Sequence, residues 1–104
     1  MADVSGDPGL SSTDMLFQNY PNPFRGVTGT TIQYTVERAG RVEVRVFDVA
    51  GRLVNSIAAN AKPGNNRVYW DGRSWDGRAL PSGVYFYQIR TDEFSARKKM
   101  ILAR

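Results

Sequence analysis

The residues from Arg41 to Asp48 have the sequence RVEVRVFD, in which valine alternates strictly with charged side chains before the final Phe-Asp. A period of two places the valines on one face of a β-strand and the charged residues on the other. The segment therefore predicts a strand of an antiparallel sheet, with one face in the core and the other in water. The apolar set is Val42, Val44 and Val46, and the charged set is Arg41, Glu43 and Arg45.

Most of the remaining chain also consists of short apolar runs separated by turn signals. The turns have the sequences ERAGR, DVAGR and NAKPGNN, which are rich in the residues that reverse a chain. No segment has a convincing helical period, and no repeat of domain size is present. With an irregular first strand near residues 16–20, the pattern predicts an all-β fold, an antiparallel β-sandwich of about seven strands. The other predicted strands are TTIQYTV (30–36), RLVNSIAA (52–59), RVYW (67–70), GVYFYQIRT (83–91) and FSARKKMILA (94–103).

The same alternation predicts the side chains of the core. One run, GVYFYQI, is apolar on both sides, so the choice of Tyr85 and Tyr87 over Val84 and Phe86 stays open at this point. The predicted core is Ile32, Tyr34, Val36, Val42, Val44, Val46, Leu53, Val54, Ile57, Trp70, Tyr85, Tyr87 and Ile89.

A chain of 104 residues is long enough for one domain with one core. Residues 1–15 are mostly Gly, Ser, Asp and Pro, which predicts a flexible linker before a folded domain at 16–104. No window approaches the roughly 20 apolar residues of a membrane helix, so we expect no transmembrane segment. The first residues do not resemble a signal peptide, so if the protein is exported its signal lies on a longer precursor, and we expect a domain from the end of something larger.

The composition argues against several kinds of chemistry. The chain has no cysteine and no histidine, which removes thiolate chemistry, the usual general base and the commonest metal ligand. We therefore expect no catalytic residue, no metal and no cofactor. The net charge is +4, but the basic residues are spread along the chain, so nucleic acid is not an expected partner.

The triplet Trp-Asp-Gly occurs twice, at residues 70–72 and 75–77. The two aspartates could be imagined as metal ligands, but their spacing is not that of a calcium loop, and Arg73 and Arg78 stand beside them. Turn formation explains the segment better, because aspartate bonds nearby backbone groups and glycine accepts positive φ. We therefore interpret it as a structured connection between two strands.

The two tryptophans call for separate predictions. Trp70 ends a predicted strand, which favours burial in the core. Trp75 lies in the middle of a polar loop, where it could fold back as a lid over the end of the sandwich or stack on a sugar ring. The prediction is a lid, and a carbohydrate site is the alternative.

The final segment RKKMILAR is rich in basic residues. One interpretation is a last strand whose outward charges protect a sheet edge from aggregation. The other is a tail that a partner recognises, by strand addition for example. Spacing alone does not choose between them.

Five motifs occur in the order in which they occur in one known family. They are FQNYPNPF (17–24), VFDVAGRLV (46–54), YWDG (69–72), PSGVYFYQI (81–89) and KKMIL (98–102). The chain, over about residues 16–104, resembles the C-terminal sorting domains of type IX secretion cargo. The same motifs overlap those of the Ig-like domain of the flagellar hook-capping protein.

This resemblance implies an Ig-like sandwich that acts as a sorting signal and not as a catalyst. In the family, such a domain directs its passenger through an outer-membrane secretion translocon. A surface sortase-like protease then removes the domain and links the passenger to the cell envelope. By resemblance, the protein is exported to the cell surface or beyond, and its passenger is of the kind that degrades polysaccharides.

The resemblance also assigns roles to residues. The motif that starts the fold is Tyr20, Pro21, Asn22, Pro23 and Phe24; the hairpin turn is Asp48 and Gly51; the penultimate strand is anchored by Gly83 and Tyr85; and the recognition strand is Lys98, Lys99, Met100, Ile101 and Leu102. The chain departs from the family where Trp75 replaces the usual acidic or polar loop residue. A carbohydrate-binding module centred on Trp75, and a passive Ig-like spacer, therefore remain alternatives.

Overall fold

The computed structural model describes residues 14–104, which form seven β-strands and no helix within that range. This confirms the predicted all-β sandwich. Of the predicted linker, residues 1–13 lie outside the described residues, whereas Met15 already pairs with Thr35. The strands are β1 (Met15–Leu16), β2 (Thr30–Val36), β3 (Gly40–Phe47), β4 (Leu53–Ala61), β5 (Gly64–Trp70), β6 (Gly83–Arg90) and β7 (Ser95–Leu102).

The strands form two antiparallel sheets that face each other. One has three strands in the order β1-β2-β5, and the other has four in the order β4-β3-β6-β7. Strand β7 therefore lies at an edge of the wider sheet, paired on one side with β6 from Gly83↔Leu102 to Arg90↔Ser95. In β3 the three valines are buried and the charged residues between them are half-buried or exposed, as the alternation predicts.

The predicted core is confirmed at ten of its positions, and the orientation of β6 is now decided. Tyr85 and Tyr87 point inward, whereas Val84 and Phe86 are only partly buried on the other face. Leu53, Val54 and Ile57 were predicted in the core but are only half-buried. Val54 and Ile57 pack against the core from β4, which is the other edge of the four-stranded sheet. Leu53 follows a register shift and pairs with Phe47, whose side chain lies on the outer face. The buried apolar residues missed by the sequence are Leu16, Phe24, Ala61, Leu80, Met100 and Leu102.

Three aromatic rings fill one end of the core. The ring centroid of Trp70 lies 5.7 Å from that of Phe24 and 5.8 Å from that of Tyr85, in tilted and edge-to-face arrangements. Such pairs add about 0.5–1.5 kcal/mol each beyond the burial of their area. The cluster joins the loop before β2, the end of β5 and the start of β6, so it holds together segments that are distant in the sequence.

Candidate functional site

The predicted recognition residues lie on β7, and the strand divides them between its two faces. Met100 and Leu102 are buried in the core, at 0% and 1% exposure. Lys99 and Ile101 point to the outer face, where Ile101 is 39% exposed, and Lys98 is half-buried at the rim. Because successive side chains of a strand alternate, a partner that approaches the outer face can contact Lys99 and Ile101 but not their buried neighbours.

The open edge of β7 is covered at its end by the YPNPF motif (Tyr20–Phe24). The N–H of Phe24 donates to the carbonyl of Ile101 at 2.9 Å, and the N–H of Ala103 donates to the carbonyl of Phe24 at 2.8 Å. The N–H of Ile101 donates to Oδ1 of Asn22 at 2.9 Å. The motif thus adds a short parallel bridge, Phe24 to Leu102, to the edge of the antiparallel sheet.

A buried hydrogen-bond network holds the chain that leads into this motif. Asn19 is 2% exposed, and its Nδ2 donates to the carbonyl of Pro21 and to Oγ1 of Thr30. The phenol of Tyr87 accepts from the N–H of Asn19 and donates to the carbonyl of Phe17, both at 2.8 Å. Burial raises the pKa of Tyr87 to about 12, so this phenol stays protonated as a donor.

The residues of the YPNPF motif have different environments. Phe24 is 1% exposed and packs on Trp70, whereas Tyr20 is 80% exposed. Both prolines follow cis peptide bonds, at Tyr20-Pro21 and Asn22-Pro23. Tyr20 also exchanges two backbone hydrogen bonds with Thr31 of β2. The motif therefore passes from the three-stranded sheet to the four-stranded sheet, and its last residue enters the core.

Asp48 and Gly51, which the resemblance assigned to a hairpin turn, lie between β3 and β4. Oδ1 of Asp48 accepts from the N–H groups of Ala50 and Arg52, and its Oδ2 accepts from Nε of Arg52 at 2.9 Å. The backbone hydrogen bond from Arg52 is the main reason why the pKa of Asp48 lies below its ordinary value. Gly51 adopts a φ of 86°, which glycine accepts at little cost.

Gly83 and Tyr85 lie at the start of β6, next to the end of β7. Gly83 pairs with Leu102, and Tyr85 pairs with Met100. The hydroxyl of Tyr85 donates to the carbonyl of Pro81 at 2.7 Å, and its ring packs edge-on against Trp70. These contacts tie the penultimate strand to the aromatic cluster.

Arg104 is a structural residue that the sequence did not reveal. Its Nη2 donates to the carbonyl of Gly72 at 2.9 Å, its Nε donates to the carbonyl of Leu80, and its N–H donates to Oγ of Ser82. The side chain therefore links the end of β7 to the loop between β5 and β6 (residues 71–82). In the sequence, Arg104 is one of several basic residues in the last segment, and nothing there indicates that it has a structural role.

The loop 71–82 contains both Trp-Asp-Gly triplets, and its aspartates bond the backbone. Oδ1 of Asp71 accepts from the N–H of Arg73, and Oδ1 of Asp76 accepts from the N–H of Arg78, both at 3.1 Å. Oδ1 of Asp76 also accepts from the hydroxyl of Ser74. In residues 14–104, no group of three or more acidic side chains is gathered as a metal site would require. The loop is a hydrogen-bonded connection.

The prediction that Trp75 caps the sandwich is wrong. The indole is 63% exposed, although the backbone N–H of Trp75 donates to the carbonyl of Val54 at 3.2 Å and so fixes the loop against β4. The indole lines a cavity of about 490 Å³ between the hairpin 48–52 and the loop 71–82. Leu80 and Val54 contribute apolar surface to the cavity, and Asp76 and Arg78 contribute charged groups.

Taken together, the geometry defines an all-β module whose motifs meet at an edge strand. Residues 18–103 match the family described as the secretion system C-terminal sorting domain. The chain belongs to this family, which confirms the resemblance to the sorting domains of type IX secretion; it is a family of sorting tails and not of catalysts. No curated protein matches the chain. Within the described range, no helix could cross a membrane.

Solved structures agree with this assignment. PorZ, an essential surface component of the type IX secretion system of Porphyromonas gingivalis, is 28% identical with a TM-score of 0.61; the match covers 86% of this chain and 11% of PorZ. Dimeric latent PorU of the same species has a TM-score of 0.70 at 24% identity, covering 95% of this chain and 10% of PorU, and this likeness concerns the fold alone. FlgD from P. aeruginosa is 25% identical with a TM-score of 0.54, covering 69% of this chain and 59% of FlgD. The chain thus spans about a tenth of PorZ and PorU.

Proposed function

We propose that this domain directs a larger exported protein through the type IX outer-membrane route and to attachment at the cell surface. The observation that carries the proposal is that motifs from both ends of the sequence form one unit, in which YPNPF is hydrogen-bonded along the edge of β7. In this proposal the partners are the secretion translocon and a sortase-like protease of the surface. The description of PorZ as a surface component of that system supports this destination.

The outer face of β7 is the part of this unit that a partner can reach. Lys99 and Ile101 are exposed there, and their backbone is already held by Gln18, Asn22 and Phe24. We therefore propose that side chains, more than open backbone groups, are recognised at this end of the strand. Met100 and Leu102 have a structural role, because they are buried in the core and stabilise the fold from the same strand.

Side-chain variants test this better than a truncation. Removing the residues after Arg97 would also remove Met100 and Leu102 from the core, so loss of sorting would not be separable from unfolding. The test fuses residues 1–104 to a fluorescent passenger with an export signal, in a bacterium that has the type IX route. The variant K99S/I101S is compared with the matched control K62S/V27S, whose positions are also exposed.

We expect the control to reach the cell surface and K99S/I101S to stay in the periplasm, with equal melting temperatures for the two isolated domains. Surface display of K99S/I101S at the level of the control would contradict recognition through this face. The mass of the displayed passenger, with or without the domain, tests removal by a protease. Sequencing the gene upstream tests the further proposal that the passenger degrades polysaccharides.

A second candidate function rests on the exposed indole of Trp75. The cavity of about 490 Å³ beside it is within the range of roughly 300–1,000 Å³ of small-molecule sites. An exposed indole face provides a stacking surface for a pyranose ring, and Asp76 and Arg78 provide an acceptor and donors for hydroxyl groups. We infer that this cavity takes a neutral saccharide, since the charged side chains that line it are two aspartates and two arginines.

Tryptophan fluorescence tests the saccharide site directly. The domain is titrated with neutral plant and cell-wall oligosaccharides, and the same titration is made with W75A. We expect saturable quenching in the wild type and none in W75A, because Trp70 is buried and does not meet the ligand. A wild-type signal that no saccharide changes would eliminate this second function and leave the sorting proposal untouched.

A further inference from the structure

The outer face of the four-stranded sheet concentrates positive charge. The charged residues that β3, β6 and β7 place on this face are five cations and one carboxylate. The four residues that β4 pairs with β3 on this face are neutral: Asn60, Ala58, Ser56 and Leu53. The excess equals the net charge of +4 that the whole chain carries. We name this surface the cationic face; its cations are Arg41, Arg45, Arg90, Arg97 and Lys99, and its carboxylate is Glu43.

Strand register sets the arrangement of these groups. Arg45 of β3 pairs with Gln88 of β6, which pairs with Arg97 of β7, so the two arginines lie in one row across the sheet. Neighbouring strands are about 4.8 Å apart, so the backbones that carry the two arginines are about 10 Å apart. The next row is Phe47, Phe86 and Lys99.

The guanidinium of Arg97 is held in place by the two phenyl rings. Its central carbon lies 5.3 Å from the ring centroid of Phe47 and 5.7 Å from that of Phe86. A cation over an aromatic face is attracted by the ring quadrupole. The rings therefore position Arg97, and they are themselves half-buried, so the guanidinium and not the phenyl rings is presented at this point of the face.

The single carboxylate of the face is already engaged. Oε1 of Glu43 lies 3.2 Å from Nε of Arg45, and its Oε2 accepts from Oγ of Ser56 at 3.0 Å. The outer face of the other sheet is different: the outward residues of β2 and β5 include one charged side chain, Arg67. The concentration of charge is thus a property of one sheet face and not of the other.

We propose that the cationic face docks an acidic protein surface, on the partner that recognises Lys99 and Ile101. This rests on the proposed sorting function and extends it to the whole sheet face. Four of the five cations are arginines, whose planar fork matches carboxylates in a bidentate manner. Of the large apolar side chains that β3, β6 and β7 place on this face, Ile101 is exposed, at 39%, and Phe47, Val84 and Phe86 are half-buried. So small an exposed apolar area beside five cations fits a folded protein better than a lipid bilayer, which takes up apolar side chains.

The test reverses charge at two positions outside β7. The variant R41E/R90E is compared with R25E/R67E, which makes the same change in net charge at exposed positions off the face. Binding of the isolated domain to poly-L-glutamate and to vesicles of phosphatidylglycerol in phosphatidylcholine is measured across a salt series. Export of the fluorescent fusion is measured in parallel, with K99S/I101S beside it.

We expect R41E/R90E to lose about tenfold in affinity for poly-L-glutamate and to slow export, while the control loses less than about twofold. Equal losses in both variants would show that only net charge matters and would overturn the proposal. Binding to the vesicles alone would overturn it in favour of lipid. Normal export of R41E/R90E, with export of K99S/I101S blocked, would reject the cationic face but keep the sorting function.

Discussion

The two Trp-Asp-Gly triplets have the same sequence and opposite environments. Trp70 is 1% exposed at the end of β5, and its Nε1 donates to the carbonyl of Arg73 at 2.9 Å. Trp75, five residues later, is 63% exposed at the rim of a cavity. The difference in burial follows from the secondary structure around each residue. Trp70 ends a strand, which brings its indole between the two sheets, whereas Trp75 lies in a loop.

The parts of the triplets that depend on local chemistry are nevertheless alike. Each aspartate accepts a hydrogen bond from the N–H two residues later, and each glycine has a positive φ, 77° at Gly72 and 87° at Gly77. The two turns therefore repeat the same short-range bonding. The hydrogen bonds of the aspartates and the φ angles of the glycines therefore follow from the tripeptide itself, whereas the burial of its tryptophan depends on the rest of the fold.

The largest effect is expected from Trp70→Ala. Removing a fully buried indole leaves a cavity between Phe24 and Tyr85, and such changes cost about 3–5 kcal/mol. Denaturant unfolding followed by far-UV circular dichroism measures the loss. A cost below about 1 kcal/mol would mean that the aromatic cluster does not organise this end of the core.

The two glycines provide the next test. Alanine at either position is strained by the positive φ, at about 1–2 kcal/mol. A Cβ at Gly72 would in addition lie 3.2 Å from Nη2 of Arg104 and 3.5 Å from Cδ2 of Leu102, whereas a Cβ at Gly77 would meet open space. We expect G72A to lower the melting temperature more than G77A, and equal shifts would contradict the role of Arg104 in closing the loop.

Acid should weaken the second turn. The hydroxyl of Ser74, followed by the N–H of Arg78, holds the pKa of Asp76 below its ordinary value. Because the folded pKa is the lower one, this contribution to stability is complete above the unfolded pKa and disappears as pH falls through the folded pKa. Urea titrations at neutral and acid pH give the difference in the free energy of unfolding between the two conditions. We expect this difference to be smaller in S74A than in the wild type and unchanged in W75F, the control. The pKa of Asp48 is lowered as well, so the stabilisation from Asp48 is also lost as pH falls.

The smallest effect on stability is expected from Trp75→Ala. An exposed side chain away from caps and core changes the free energy of unfolding by less than about 0.5 kcal/mol. The same denaturant titration that measures Trp70→Ala measures this variant. A loss above about 2 kcal/mol would restore the interpretation of Trp75 as a lid.

The predictable part of the fold followed from alternation within single strands. The valines of β3 and the inward side chains of β2 were placed correctly, because a period of two needs no knowledge of distant residues. The half-burial of Leu53, Val54 and Ile57 was not predictable, since it depends on β4 being an edge strand and on the register shift that pairs Leu53 with Phe47.

For the candidate site, the resemblance proposed a set of residues, but their arrangement was not predictable. The resemblance assigned both Tyr20–Phe24 and Lys98–Leu102, yet nothing in either segment indicates that Asn22 and Phe24 bond Ile101. The separation of Lys99 and Ile101 from Met100 and Leu102 follows from alternation only once the buried side is known. Nothing in the sequence indicated that Arg104 bonds the loop 71–82.

By itself, the sequence determined the strands, their turns and the family, because each of these depends on short-range periodicity or on ordered motifs. Tertiary structure alone decided that β7 is an edge strand covered by YPNPF, that Trp75 is exposed, and that the cations of three strands share one face. The physical reason is that burial and charge clustering arise between segments far apart in the chain. Their register is settled only when the two sheets pack.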